Sequence, residues 1–229
     1  MTDVHCHVAS GESGVREFLI GRDFVGIHPW ETLEKDETLL HSTLNALRSS
    51  LAANAALGVG EIGLDRLKEK TISPLMREVF ESQLELAFEF NRPVVLHGAK
   101  CWGQVVAAVD SSIRQFANSP IPAFLFHGFS RSDGLIPDIV KLNGYISVGP
   151  AVLNDHAVNY RELVKKIPLD RLVVETDRVP AVTSPRGADT PSIRDILAKT
   201  AEIRSLPVDE LEAITDANAT RMMGVGLGT

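Results

Sequence analysis

The sequence predicts an α/β fold in which βα units build a parallel sheet. Short β-branched or apolar runs recur along the chain, each ends at a polar residue, and longer stretches with helical spacing lie between them. Seven runs read as strands: residues 2–7, 23–27, 57–62, 93–97, 123–127, 144–148 and 171–176.

The first run holds His5-Cys6-His7. On a strand, two imidazoles two residues apart project to one side while Val4 and Cys6 face the other. The second run leads into His28-Pro29, and the acidic stretch from Glu31 to Glu37 reads as a helix N-terminal turn that complements the dipole. Leu40, Leu44, Leu47 and Leu51 then repeat at helical spacing. The third run reaches Glu61 among glycines. From Met76 an apolar helical face follows through Val79, Phe80, Leu86, Ala87 and Phe90, with Gln83 its one polar member. Asn91-Arg92-Pro93 stops that helix where a strand begins, because proline lacks a donor and biases its predecessor toward extended geometry. Val106, Val109, Ile113 and Phe116 form the next apolar face. Beyond Asp177, a loop over 178–191 precedes helical stretches at 192–204 and 208–223, and the tail 224–229 reads as frayed.

A chain of 229 residues without a repeat, a low-complexity tract or a linker reads as one domain, 1–229. Hydrophobic residues at 44% and charged residues at 23% suit a globular core and exclude disorder. With 30 acids against 23 bases the net charge is −7, which excludes a broad basic face, so a phosphate-bearing substrate needs local cations. Two cysteines build no disulfide framework, the N-terminus lacks a signal-peptide pattern, and no apolar run approaches the roughly 18 residues of a membrane span. The expectation is a cytoplasmic protein with no membrane contact and no obligate protein partner.

Chemistry in such folds gathers at the carboxyl ends of the strands. Five of the seven histidines, His5, His7, His28, His97 and His127, fall at or just past a predicted strand end. Glu61 sits at an apolar strand end in Gly58-Val59-Gly60-Glu61-Ile62-Gly63, where a lone buried carboxylate is too costly and must be paired or metal-bound. His97 and His127 each close an apolar strand and are followed by glycine, and Asp177 closes the last, with Glu175 as an orienting partner. Four imidazoles and two carboxylates suffice for two ions sharing one bridging carboxylate, the arrangement with which two-metal hydrolases activate water. A structural zinc site would call instead for cysteines or a closed set of four ligands. The plain alternative for any one of these residues is a hydrogen-bonded core side chain. Six of them at five strand ends weigh against it.

The series Asp3-x-His5-x-His7, Gly26-Ile27-His28-Pro29, Gly60-Glu61-Ile62-Gly63-Leu64-Asp65, His97, His127-Gly128-Phe129-Ser130, Glu175-Thr176-Asp177 and Asn218-Ala219-Thr220-Arg221 resembles the TatD family of metal-dependent deoxyribonucleases. The resemblance implies a TIM-type barrel of the metallo-dependent hydrolase superfamily, using two divalent ions, Mg, Mn or Zn. It implies that His5, His7, Glu61 and Asp177 hold one ion and Glu61, His97 and His127 the other, with Glu61 bridging. It implies that Asp177 orients or deprotonates the attacking water, that His28 lines the substrate pocket, and that Asp65 and Glu175 support the ligands from behind. It implies cleavage of DNA phosphodiesters; because a net charge of −7 offers no long basic track and few cations stand near the mouth, the expected substrates are DNA ends or short oligonucleotides, cut from the 3′ end.

Two departures modify this expectation. Only 21 positions separate His7 from His28, less than the family uses for a further strand and its helices, so the barrel is expected to be distorted and seven-stranded. Where the family often carries an arginine-containing loop, this chain reads Gly98-Ala99-Lys100-Cys101-Trp102, and Lys100 is the candidate phosphate contact. Arg178 and Arg186, after Asp177, are further candidates against the plainer reading of surface charges. Cys6 is expected to be buried and inert, and His41 and His156 carry no assigned role. An amidohydrolase or esterase acting on a small molecule, and a noncatalytic binding barrel, are the competing functions. Glu61 tilts the balance toward phosphodiesters, since many amide-cleaving relatives bridge their metals with a modified lysine.

Overall fold

The computed structural model describes residues 1–180 and 190–224. Its strands are β1 (Thr2–Cys6), β2 (Arg16–Leu19), β3 (Phe24–Val25), β4 (Gly58–Asp65), β5 (Val94–Ala99), β6 (Phe124–Phe126), β7 (Gly144–Val148) and β8 (Leu172–Val174). The helices are α1 (Glu31–Glu34), α2 (Glu37–Ala53), α3 (Pro74–Phe90), α4 (Trp102–Gln115), α5 (Ile136–Lys141), α6 (Val158–Lys166), α7 (Ile193–Arg204) and α8 (Val208–Met223). None of these helices is long and apolar enough to cross a membrane.

Every strand pairing is parallel. β1 pairs with β2, and β3 to β8 form a six-stranded sheet in chain order. Two seams bring these sheets into a ring. Ile20 bridges Phe24 between β2 and β3. On the other side the Asp177 amide donates to the His5 carbonyl at 3.0 Å, and the His7 amide to the Arg178 carbonyl at 2.8 Å. Buried Asp3 reinforces this second seam by accepting from the Thr176 hydroxyl at 2.6 Å and the Thr176 amide at 3.1 Å. The architecture is a distorted TIM-type barrel.

Among the described residues it has eight strands, and the expected seven is corrected by β2. The interval before His28 has lost helices rather than a strand. Residues 7–15 and 20–23 connect β1, β2 and β3 without any helix. β2 escaped detection because no helix covers it: Arg16 is exposed and Glu17, Phe18 and Leu19 are only half-buried, so its pattern lacks the apolar run of a doubly covered strand.

Elsewhere local signals decide the boundaries. Asp36 caps α2 by accepting from the Leu39 amide, so the acidic stretch divides into short α1 and the start of α2. Ser73 caps α3 with Pro74 at its first position, and Asn91 ends it in a left-handed conformation at φ 49°. Buried Asn218 of α8 donates to the carbonyls of Leu169 and Leu172 at 2.7 and 2.6 Å, fixing the helix to the start of β8. The α7 and α8 ranges agree with the helical stretches predicted for them to within a residue at each end. Residues 225–229 of the predicted frayed tail lie outside the described residues.

Alternation sets the floor of the site. Val95, Leu125, Tyr145 and Val173 pack in one buried cluster, and two residues further along their strands stand His97, His127, Ser147 and Glu175. Gln83, the polar member of the α3 face, is fully buried. Its carbonyl oxygen accepts from the Ile27 amide at 2.6 Å, and its amide donates to the Ile27 carbonyl at 3.2 Å. The side chain thus replaces sheet partners for the residue before His28. We predict that Gln83→Leu, which strands both buried Ile27 groups, costs about 3 kcal/mol and lowers the melting temperature by roughly 6–12 °C. Calorimetry of both proteins checks this, and an unchanged melting temperature would refute the role.

Candidate metal centre

His5, His7, Glu61, His97, His127 and Asp177 converge at one rim, although they come from five strands. Glu61 is at the centre, with only 5% of its surface exposed. The pairing of β4 with β5 shifts register between Val59 and Ile62, the kind of irregularity that re-aims a side chain beside an active site. Gly63 lets the two strands come close there, since a Cβ at that position would lie 2.0 Å from the His97 carbonyl oxygen.

The two carboxylate oxygens of Glu61 face different partners. Oε2 lies 3.6 Å from His5 Nε2 and 3.5 Å from His7 Nε2, and Asp177 Oδ1 stands 3.4 and 3.7 Å from the same two nitrogens. Oε1 lies 2.7 Å from His97 Nδ1 and 3.6 Å from His127 Nε2. His5, His7 and Asp177 are close enough to share one cation, and so are His5, Glu61 and His127.

The supporting bonds set which ring nitrogens face Glu61. His97 Nε2 lies 2.8 Å from Asp65 Oδ2 and Nδ1 2.7 Å from Glu61 Oε1; burial lowers its imidazole, but Asp65 and Glu61 outweigh that and raise it, so a cation reaching Nδ1 competes with the proton shared with Glu61. His127 Nδ1 faces Glu175 Oε1 at 3.1 Å and leaves Nε2 toward Glu61. Carboxylates behind imidazoles in this way are the usual backing of metal-binding histidines. Asp65 is in turn held by the Leu67 amide and by the Trp30 indole N–H at 2.9 Å. Although burial raises its carboxyl, His97, Leu67 and Trp30 bring it down to about 2. His5 is fully buried and neither ring nitrogen has a hydrogen-bond partner. Its orphaned Nε2, between the carboxylates of Glu61 and Asp177, fits a bound cation, and the donor set of imidazoles and carboxylates suits zinc or manganese.

His28 differs from the other histidines. Its Nδ1 accepts from the Trp30 amide at 3.1 Å, so Nε2 carries the proton and points it toward Glu61 Oε1, 3.6 Å away. That tautomer is a donor to an anionic group, not a lone-pair ligand.

Other candidates separate. Lys100 is exposed and lines a cleft of about 560 Å3 whose wall includes His97 and His127. Trp102 packs in the core, its ring centroid 5.7 Å from that of Phe126 and 5.3 Å from that of Phe129. Arg178 donates to the Thr190 carbonyl at 3.4 Å, and Arg186 lies outside the described residues. Cys6 is buried, with burial pushing its thiol up. His41 pairs with Glu78 at 3.1 Å between exposed helix faces. Sequence reasoning missed Trp30 and Gln83 as supports of the site. Gln83 had a signal, being polar on an otherwise apolar face, whereas nothing in the sequence ties Trp30 to Asp65.

Residues 19–224 match the family model described as TatD related DNase. The chain belongs to the TatD family. Its similarity extends to curated TatD-type relatives, with 28% identity to the uncharacterized metal-dependent hydrolase YabD of Bacillus subtilis, covering 88% of this chain and 76% of that protein. Identity is 26% to the 3′-5′ ssDNA/RNA exonuclease TatD of Citrobacter rodentium, with the same coverage. The fold is that of the TatD homologue YjjV of Escherichia coli K12, with a TM-score of 0.78 at 23% identity and 98% of each chain covered. The family match begins after His5 and His7, whereas the structural match spans nearly the whole chain. The TatD family assignment makes this chain a metal-dependent hydrolase.

Two predictions concern metal uptake. Burial would lower the His127 imidazole, but Glu175, Glu61 and Asp177 outweigh it and hold His127 well above its ordinary value. The raised imidazole favours a proton where a cation would bind, so a cation competes with that proton. Zn or Mn affinity should rise with pH and fall about tenfold per unit of acidification for each proton displaced. Chelator competition at pH 6, 7 and 8 measures this, and a pH-independent affinity would contradict it. Asp65→Ala should weaken binding about 10–100-fold by releasing His97, read in the same titration.

Proposed function

We propose that this chain hydrolyses phosphodiester bonds of single-stranded DNA from exposed 3′ ends, with two divalent ions and a water nucleophile. The observation that carries the reading is Glu61, whose oxygens face two separate nitrogen sets. In the reading, His5, His7, Glu61 and Asp177 hold one ion and Glu61, His97 and His127 the other. When bound, such ions lower the pKa of water and offset the charge that develops on phosphoryl oxygens.

The chain's own groups do the rest. Asp177 is the most exposed carboxylate of the set, its side chain 45% accessible, so it can reach both water and substrate. Burial would raise its carboxyl, but His127 and His5 outweigh that and keep it below its ordinary value, ionised as a base must be. It takes the proton of the attacking water as the new P–O bond forms, and returns it to the leaving oxygen as the ester P–O bond breaks, so that the alcohol departs neutral. His28 donates from Nε2 to a phosphoryl oxygen. The name of the Citrobacter relative, a single-strand exonuclease, supports this substrate class. The acidic surface supports end-directed action, because few cations stand at the mouth to hold a long duplex.

The test is a 5′-labelled single strand incubated with Mg or Mn, which should shorten progressively from its 3′ end. Asp177→Asn should lower kcat by about 10²–10⁴ while substrate affinity changes little. Internal nicking of a closed circle at a comparable rate, or ester hydrolysis without phosphodiesterase activity, would overturn the reading.

A further inference from the structure

We propose that Lys100 and Arg131 form a phosphate subsite beside the metal centre, holding the phosphate next to the scissile one in a single-stranded nucleic acid. This rests on the phosphodiesterase reading and assigns it a second point of recognition.

The first observation is one of pairing. Among the described residues Arg131 is the one arginine whose guanidinium bonds no protein group. The others are held by carboxylates, as Arg48 is by Glu89 and Arg161 by Asp155, or by backbone carbonyls and polar side chains, as Arg204 is by Val164 and Arg221 by Asn218. The Lys100 ammonium is free as well, which among the described lysines it shares with Lys70, while Lys35, Lys68, Lys141, Lys165, Lys166 and Lys199 meet carboxylates. In a chain with 30 acids against 23 bases, a cation left without a partner is unusual.

The second observation is where these two stand. Both line the cleft of about 560 Å3 that contains His97 and His127 in its wall. Lys100 follows β5 and Arg131 follows β6, so the cations come from neighbouring loops. Among the described residues no aspartate or glutamate lines that cleft. A cleft with two free cations and no carboxylate, set against an acidic molecule, focuses attraction on an anion.

The third is backbone geometry. Lys100 and Arg131 adopt left-handed conformations at φ 58° and 60°, which glycine takes at no steric cost and L side chains rarely adopt. Both residues are exposed, so core packing does not explain a long cationic side chain at either position. A guanidinium also suits bidentate contact with phosphate. Ser130 and Arg131 line a second groove of about 810 Å3 as well, reaching His156, Tyr160 and Lys166. Arg131 thus stands where a strand leaving the metal centre would cross from one groove to the next.

The double variant Lys100→Gly with Arg131→Gly tests the proposal, because glycine relieves both left-handed positions and should leave the melting temperature equal or higher. Binding of 5′-fluorescein-labelled pentathymidylate is followed by anisotropy in an Asp177→Asn background, across a salt series. The expected result is at least a tenfold loss of affinity and a salt slope shallower by about 0.7, the share of one single-strand phosphate. A second arm leaves these loops intact: pentathymidylates carrying one neutral methylphosphonate at each linkage in turn should lose affinity at one linkage, and the double variant should not feel that replacement. Equal affinity and slope in the double variant, with no methylphosphonate position sensitive to it, would overturn the subsite while leaving 3′ shortening by the unmodified enzyme intact. If the unmodified enzyme neither binds nor shortens the oligonucleotide, the phosphodiesterase reading falls and the subsite with it.

Discussion

A carboxylate removed from water among imidazoles is the constraint on which the site depends. Glu61 is almost wholly buried, and an isolated charge there would be too costly to keep. His97 and His127 partly compensate it, yet each imidazole also faces a further carboxylate, Asp65 or Glu175. The centre therefore contains more negative groups than protein cations to balance them. A cation held among His5, His7 and Asp177, or among His5, Glu61 and His127, would offset part of that excess.

That demand explains features that packing alone does not. Gly63 is needed because β4 and β5 approach too closely for a Cβ. Asp3 ties β1 to the segment after β8, and burial raises its carboxyl to about 6 even though the Thr176 hydroxyl and the Thr176 and His5 amides favour its charge. A group so placed is poorly chosen for stability. It holds His5 and Asp177 in register across the seam where the barrel ends meet, so stability is given up where the ligands must meet accurately.

The parts of this arrangement legible in the sequence were those with a strong local signature. Six candidate ligands at strand ends could be read because the strands carrying them are apolar runs with one polar terminus. Glu175 could be read as an orienting partner because it shares the strand end of Asp177, whereas Asp65 was readable only through family resemblance, since a carboxylate four residues from a candidate ligand is common. β2 was invisible because its pattern is that of an uncovered strand, and its discovery changes the meaning of the short interval before His28: the ring of strands is kept and its helical cover is lost. Arg131 was missed because nothing in Ser130-Arg131-Ser132 distinguishes a free arginine from a paired one. Pairing is a property of three-dimensional neighbours, here of which loops lack carboxylates.

The uncovered β2 bears on how the site is built. In a barrel with every helix present, the strands are fixed from outside by packing and the rim loops inherit that rigidity. Here β1 and β3, which lead to His5, His7 and His28, have no helix between them, so other contacts must hold that sector. Gln83 reaches from α3 to the backbone of Ile27, and Asp3 reaches Thr176, each replacing an interaction that a covered strand would obtain from its neighbours. Both are buried polar side chains satisfied on all sides, and such groups fix one geometry because every alternative leaves a donor or acceptor stranded. The chain has thus exchanged nonspecific apolar cover for a few directional bonds, which suits a sector that must place three imidazoles around one carboxylate.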